Sequence, residues 1–482
     1  MSTVETLGID SNTGRMSGRA WGILLVLCGA LFLEGLDVSM MGVALPSMQS
    51  DLNISTGSLQ WVVSAYILGY GGFMLLGGRA ADLLGRRRMF LGWLTVFLAF
   101  SGLGGLATEG WMLIAARFIT GIAAAFMTPA GLSIITTRFP EGPARNKALL
   151  VYSGTGGAGF SLGLVAGGLL TAIDWRWVFF APVLLSATLL LFAHRLIPDD
   201  EDIKPTFKGF DLAGAGSITG AMLLVVYTVV MAPEVAIAQT IASAIVSIAF
   251  LFAFVIIERR SATPLVRLGI FRSGGLVRSN FAAMLFAGSF AGFQFLVVLF
   301  LQQVRGWSPL ETGLALLIAG VDAVLAPTVT PKLVERFGVI RIIMAGTTLG
   351  AIGYALFLRV GADSRYVSDM LPTMILIGLA FALAYGPLTI AATDGIDPDE
   401  QGLAGGILYT SWQFGSALGL AAVTAIKLTE VDENSIEGFH TALFVPVAAV
   451  IASTLIVALG LRVRRSPKSQ SRKFVTAERP SS

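Results

Sequence analysis

Residues 27–46 read LCGALFLEGLDVSMMGVALP. The stretch has the length and apolarity of a membrane-crossing helix, since about 20 residues at ~1.5 Å rise span the ~30 Å hydrocarbon core. Yet it holds two acids, Glu34 and Asp37. The eleven Leu, Ile, Phe and Val residues from Ile23 to Val43 favour insertion by roughly 3–7 kcal/mol in all, while one central Asp costs about 2.5–3.5 kcal/mol. A second acid of similar cost cancels most of the remainder. The two are tolerable only if protonated, paired or facing a wet cavity, and their i, i+3 spacing puts them on one helix face.

Outward from this stretch, apolar runs of similar length recur along the whole chain of 482 residues, of which 55% are hydrophobic and only 13% charged. Soluble domains keep about 25% charged. Strand-period alternation is absent, which argues against a β-barrel, so the chain reads as an all-α polytopic membrane protein. Fourteen spans are expected, at 21–45, 59–77, 89–107, 111–136, 147–173, 177–196, 210–231, 235–257, 280–304, 311–330, 340–358, 370–392, 403–426 and 439–461. The first is too long for a signal peptide and lacks a small-residue cleavage pattern, so it is expected to be retained. With the N-terminus taken as cytoplasmic, 27 of the 33 Lys and Arg residues fall in cytoplasmic segments and 5 outside, Arg117 lying within a span. That asymmetry orients the chain with both termini in the cytoplasm.

Residues 77–88, GGRAADLLGRRR, follow the second span, and 330–341, TPKLVERFGVIR, follow the tenth. Asp82 and Gly85 map onto Glu335 and Gly338, each 253 residues on. In the first copy Gly78 and Gly85 can end and restart helices across a tight turn. Asp82 can cap the third span or pair with an arginine of the cluster that includes Arg86 and Arg87. A plain basic loop would account for one copy, but it need not recur. Two halves in the same orientation imply a pseudo-twofold axis along the membrane normal, with a site between them.

The pattern Gly-x-x-Ala-Asp-x-x-Gly-Arg-Arg at 78–87 resembles the loop between spans two and three of the major facilitator superfamily. LDVSMMGVALP (36–46), RFITGIAAA (117–125), DWRWVFF (174–180) and LQQVRGWSPLETGLALL (301–317) are similar, in order, to motifs of the first, fourth and sixth spans and of the joint between spans nine and ten in its fourteen-span drug:proton antiporter branch. The resemblance implies a major facilitator fold with 14 transmembrane helices. It divides the chain into a cytoplasmic tail (1–20), an N-terminal six-helix bundle (21–197), a linker with a helical hairpin formed by spans seven and eight (198–258), a C-terminal six-helix bundle (259–463) and a basic tail (464–482). It implies a cytoplasmic gating role for the 78–87 loop, and it links the first-span acid and the fourth-span arginine, here Asp37 and Arg117, to proton coupling. Gly159, Gly163, Gly167 and Gly168 occupy the antiporter motif of the fifth span. Leu164 stands where that motif has proline, Gly42 where asparagine is common, and Ala181–Pro182 where the branch often has Ile-Asn.

The fifth span also holds GTGGAG (154–159), with Asp174 twenty residues beyond Gly154, and GFSLG (159–163) around Ser161. These fit a dinucleotide fingerprint and a hydrolase elbow, but both need a strand–turn–helix context. One apolar run contains both, so close helix packing through small residues is the better reading.

Counted inward from the expected outer span ends, Asp37 lies about 12 Å deep, Glu34 about 16 Å and Arg117 about 9 Å. Asp322 falls near the midplane in the second half. Asp37 and Arg117 can therefore meet, either as a static pair holding helices together or as part of a proton relay. Burial favours the protonated form of a carboxylate and a neighbouring arginine favours the ionised one, so an alternating cavity can load and release a proton at Asp37, Glu34 or Asp322. Three acids against one arginine favour a cationic or neutral amphipathic cargo. Tyr66, Tyr70, Gln294 and Phe295 can add stacking and hydrogen bonds to such a cavity, as can Tyr409, Trp412 and Gln413, with ordinary helix packing as the alternative role. PLVRLGIFR (264–272) suggests a short helix on the cytoplasmic surface.

Cys28 is the single cysteine, and His194 and His440 are the only histidines, so neither a disulfide nor a metal site is expected. No G-x-x-x-x-G-K-[ST] loop occurs, which disfavours an ATP-driven pump. The net charge of +3 follows from loop asymmetry and is no nucleic-acid signal. The reading is a multi-pass plasma-membrane transporter, monomeric and not an enzyme. It exports small drug-like compounds in exchange for protons, with no cofactor and the proton gradient as energy source. Multidrug efflux and antibiotic resistance follow from that. A metabolite exporter or proton-linked importer of the same fold is the alternative. A membrane-embedded enzyme or sensor is more remote, since no nucleophile–base cluster and no sizeable soluble segment is visible.

Overall fold

The computed structural model describes residues 16–139, 143–199, 211–232, 235–262, 264, 266–396, 401–429 and 436–464. Among them there is no β-sheet. In the first half of the chain the helices are α1 (Gly18–Leu52), α2 (Thr56–Leu84), α3 (Arg86–Gly105), α4 (Gly110–Arg138), α5 (Pro143–Ile173) and α6 (Trp177–Leu196). A hairpin follows, α7 (Leu212–Met231) and α8 (Ile237–Arg260). The rest holds α9 (Gly274–Leu299), α10 (Pro309–Leu317), α11 (Asp322–Thr328), α12 (Thr330–Phe337), α13 (Val339–Phe357), α14 (Leu371–Thr393), α15 (Gln401–Thr429) and α16 (Ile436–Arg464). Among the described residues eleven helices are long and apolar enough to cross a membrane. This is a multi-pass membrane protein.

Helix starts are fixed by hydroxyl caps. Ser17, Ser55 and Ser273 accept the N–H groups of Ala20, Ser58 and Leu276, and Ser308 with Glu311 forms a reciprocal capping box before α10. Asn53 ends α1 in the left-handed region, its N–H bonded to the Gln49 carbonyl. The two repeated loops share a backbone device: Gly85 (φ 104°, ψ 129°) and Gly338 (φ 84°, ψ 150°) both stand where one helix ends and the next begins. Only glycine holds such a conformation without strain. The Asp82 side chain, like the tail 465–482 and the linker 200–210, lies outside the described residues.

α1 lies along α5, α2 along α4, α9 along α15 and α13 along α14. The glycines of α5 permit the first of these contacts. A methyl group on Gly163 would meet the Leu36 Cα at 2.9 Å, and one on Gly167 the Met40 Cα at 2.7 Å. Gly168 faces the other way, where an added methyl would sit 2.8 Å from the Leu310 Cα. Since 143–173 is one helix, the strand–turn–helix that a dinucleotide or hydrolase site needs is absent there. Leu164, in the place of the expected proline, is buried within that unbroken helix.

Three expectations are corrected. α1 runs on to Leu52, well past the expected end at Leu45. The expected tenth span is long and apolar enough to cross but is not one regular helix, being made of α10, a 3-10 turn at Ile318–Val321 and α11, with α12 in the loop expected after it. Pro327 and Pro331 carry no N–H to continue the helical ladder, and carbonyls near the breaks find side-chain donors instead. Ser161 Oγ donates to the Gly320 carbonyl at 3.3 Å, and Thr330 Oγ1 to the Leu325 carbonyl at 3.3 Å. Finally, the segment expected as a short surface helix holds, among its described residues, a shorter 3-10 helix, Leu268–Arg272, with Ile270 buried rather than at the surface.

Candidate proton and substrate site

Asp37 and Arg117 are 1% and 2% exposed, and Arg117 Nη1 donates to Asp37 Oδ2 at 2.6 Å. Two buried charges repay their desolvation only with close geometry and further contacts. The further contact here is the Tyr66 ring, whose centroid lies 4.2 Å from the guanidinium carbon. α1 supplies the acid, α4 the base and α2 the ring.

One turn away Glu34 is also buried, at 6% exposure, but its surroundings differ. Thr128 Oγ1 donates to Glu34 Oε2 at 2.7 Å, and Tyr409 Oη donates to Glu34 Oε1 at 3.2 Å. These donors are neutral and come from α4 and from α15, far apart in the chain. Tyr66, Tyr70 and Tyr409 form a ladder of rings from the ion pair to Glu34, with centroids 5.9 and 5.2 Å apart.

Beyond Tyr409 lies a cavity of about 130 Å³ lined by Ala283, Tyr385, Leu388, Thr389, Gly405, Leu408, Tyr409 and Trp412. Tyr385 and Trp412 meet at 4.9 Å, edge to face, and Phe381 stacks on Tyr385 at 5.3 Å. Tyr385 is 40% exposed. Sequence reading passed over both Tyr385 and Thr128. A single tyrosine or threonine in an apolar run carries no positional signal, although depth matching of polar residues between spans would have placed Thr128 near Glu34.

The other named residues are dispersed. Asp322 is half-buried at the first position of α11, directly after the helix break. Gln294 is half-buried, its amide near Gly42 on α1. Gln413 packs against Gly71 at the α2–α15 crossing. Phe295 is buried in the apolar core at 4% exposure. In the first turn of α3, Arg87 donates to the Asp199 carboxylate and to the His194 carbonyl, while Arg86 is half-buried. Among the described residues no group of three His, Cys, Asp or Glu side chains is arranged to hold a metal.

A family model described as Major Facilitator Superfamily matches residues 27–420. The chain belongs to the Major Facilitator Superfamily. Similar curated proteins include a cephamycin export protein of Amycolatopsis lactamdurans, 35% identical, with 86% of this chain and 87% of that protein covered. A puromycin resistance protein of Streptomyces alboniger is 35% identical over 85% of this chain and 82% of its own. A lincomycin resistance protein of Streptomyces lincolnensis is 30% identical over 92% and 91%. The fold is also that of a solved peptide transporter bound to sulfate, with a TM-score of 0.71 at 14% identity over 96% of this chain and 99% of that one. A nucleoside transporter structure aligns at TM-score 0.66 and 15% identity over 91% and 98%. Proteins of this superfamily are transporters of small molecules, and the multi-pass helical architecture agrees.

Proposed function

We propose that this chain is a drug-efflux transporter that exchanges small organic compounds, cationic or neutral and amphipathic, for protons. The names of its relatives support export of antibiotic-like compounds. α2, α5 and α15 join the eleven long apolar helices to give fourteen spans, in two six-helix bundles flanking the α7–α8 hairpin. The Lys and Arg asymmetry puts the Gly18 end of α1 in the cytoplasm and the Leu52 end outside. The proton gradient is the energy source, and no cofactor is required.

One observation carries the coupling: two acids on one face of α1 with unlike partners. Asp37 is matched by a full positive charge, whereas Glu34 is held by two neutral hydroxyls from α4 and α15. A buried carboxylate without a counter-charge resists ionisation, so Glu34 is the group whose charge the site can change most readily. When Glu34 takes a proton, the bonds from Thr128 and Tyr409 lose their charged acceptor and weaken, which loosens α1 against α15. Loss of the proton restores them. Moving one net charge through the membrane potential is worth about 2.3 kcal/mol per 100 mV, which drives a neutral cargo uphill, while one-for-one exchange with a monovalent cation moves no net charge and draws on the pH gradient.

The test is accumulation of a panel of cationic, neutral and anionic dyes in inverted membrane vesicles with an imposed, inside-acid pH gradient. Cationic and neutral dyes are expected to accumulate and to leak out when an ionophore collapses the gradient. Accumulation that ignores the gradient, or that needs ATP, overturns the proposal.

A further inference from the structure

We infer that Tyr409 couples cavity occupancy to the charge on Glu34, and that the occupant is an organic cation carrying a single-ring aromatic group. The inference deepens the proton exchange proposed above and rests on it.

Tyr409 has two roles in one side chain. Its ring walls the cavity together with Tyr385 and Trp412, while its hydroxyl donates to Glu34 Oε1 at 3.2 Å. The hydroxyl of Thr128 touches the same carboxylate at 2.7 Å but does not line the cavity. The cavity volume of about 130 Å³ is close to the roughly 150 Å³ that accepts a benzene-sized ring in a protein core. Its walls suit such a ring, because Tyr385 is 40% exposed and Phe381 already stacks near-parallel on it at 14°. Glu34, one hydroxyl away, gives the occupant's positive charge a partner.

An occupant pressed against the Tyr409 ring holds the hydroxyl on the ionised Glu34. Protonation of Glu34 weakens that bond and frees the ring to move, which loosens the occupant. By linkage the two effects are equal in size. The titratable groups around Glu34 are Asp37 on α1, Tyr66 and Tyr70 on α2, Tyr152 on α5, Tyr385 on α14 and Tyr409 on α15; behind them stand Arg117 on α4, paired with Asp37, and Asp322 on α11, beside Tyr385. Asp37 and Asp322 are the other carboxylates in this surrounding, so Asp37→Asn and Asp322→Asn serve as controls.

The experiment measures binding of tetraphenylphosphonium, with tetrabutylphosphonium as the aliphatic cation, to the full chain in nanodiscs across a pH series. Wild-type affinity for the aromatic cation is expected to fall about tenfold from alkaline to acidic buffer, the size of one hydrogen bond to a charged group. Tyr409→Phe is expected to bind at alkaline pH yet change less than about twofold across the series, because the hydroxyl that carries the linkage is gone. Thr128→Val should keep the full fall but shift it to higher pH, since losing a donor favours the protonated carboxylate. A folded Tyr409→Phe protein that keeps the wild-type fall, that behaves like Thr128→Val, or that binds at no pH overturns the role of Tyr409. Equal binding of the aliphatic cation overturns the aromatic assignment. Glu34→Gln that keeps the wild-type fall refutes Glu34 as the exchanging group, and with it the reading on which this inference rests. Independently of any variant, adding tetraphenylphosphonium to weakly buffered wild type must release protons; no release contradicts the linkage.

Discussion

Asp37 and Glu34 sit three positions apart on one helix, and the fold treats them differently. The Asp37–Arg117 pair is sealed at 1% and 2% exposure, where removing one partner strands the other charge. Arg117→Ala is therefore expected to cost roughly 3–5 kcal/mol of stability, read as a lowered unfolding temperature in detergent. The double change Asp37→Asn with Arg117→Gln should recover most of that loss while leaving transport broken. A single change costing under about 1 kcal/mol would mean that the pair is solvated rather than sealed. The meeting of these two residues was legible in the sequence, because helical rise converts chain position into depth and Arg117 is the one arginine placed well inside an expected span rather than at its edge. The partners of Glu34 were less legible. Tyr409 stood among candidates of equal weight, and Tyr385 and Thr128 are residue types too ordinary in apolar helices to stand out.

At the scale of elements, the long apolar runs gave the helices their places, and the small residues of the fifth span gave its packing against α1. What the runs could not show was where a helix breaks inside apolar sequence. The pieces α10 and α11 have the composition of one span, whereas α12 is polar; Pro327 and Pro331 interrupt the helical ladder near its end, and Ser161 and Thr330 donate to the carbonyls of Gly320 and Leu325. The repeat between 77–88 and 330–341 proved to be a repeat of backbone conformation, with glycine at positive φ in each. Gly338→Ala is expected to cost about 1–3 kcal/mol, because its φ of 84° and ψ of 150° suit almost no other residue, although nothing crowds the position. Thermal unfolding of that variant checks this. An unchanged midpoint would show that the loop relaxes to another conformation at little cost.

At the scale of the whole molecule, one end of the structure is tied shut. Gln302 Nε2 donates to the Val43 carbonyl at 2.8 Å and Gln303 Nε2 to Gln49 Oε1 at 2.7 Å, binding the last turns of α1 to the π-helical turn after α9. Beside them Gly168 of α5 packs on Leu310 of α10. In the proposed orientation, with the Leu52 end outside, this is a conformation closed to the exterior. Replacing Gln302 and Gln303 together by Ala removes two bonds of about 0.5–1.5 kcal/mol each, which should move the equilibrium toward the outward-open form roughly 5- to 150-fold. Leu310→Cys in a Cys28→Ala background should then react several-fold faster with a membrane-impermeant maleimide applied to intact cells, and an unchanged rate would show that the ties do not gate. The central claim, that carboxylates on α1 carry the exchanged proton, is tested most directly in proteoliposomes. Substrate accumulation driven by a pH gradient is compared there with substrate counterflow, which moves no net charge or proton. Asp37→Asn and Glu34→Gln are each expected to abolish gradient-driven accumulation, with counterflow surviving in Glu34→Gln. Undiminished accumulation in both variants would contradict the account.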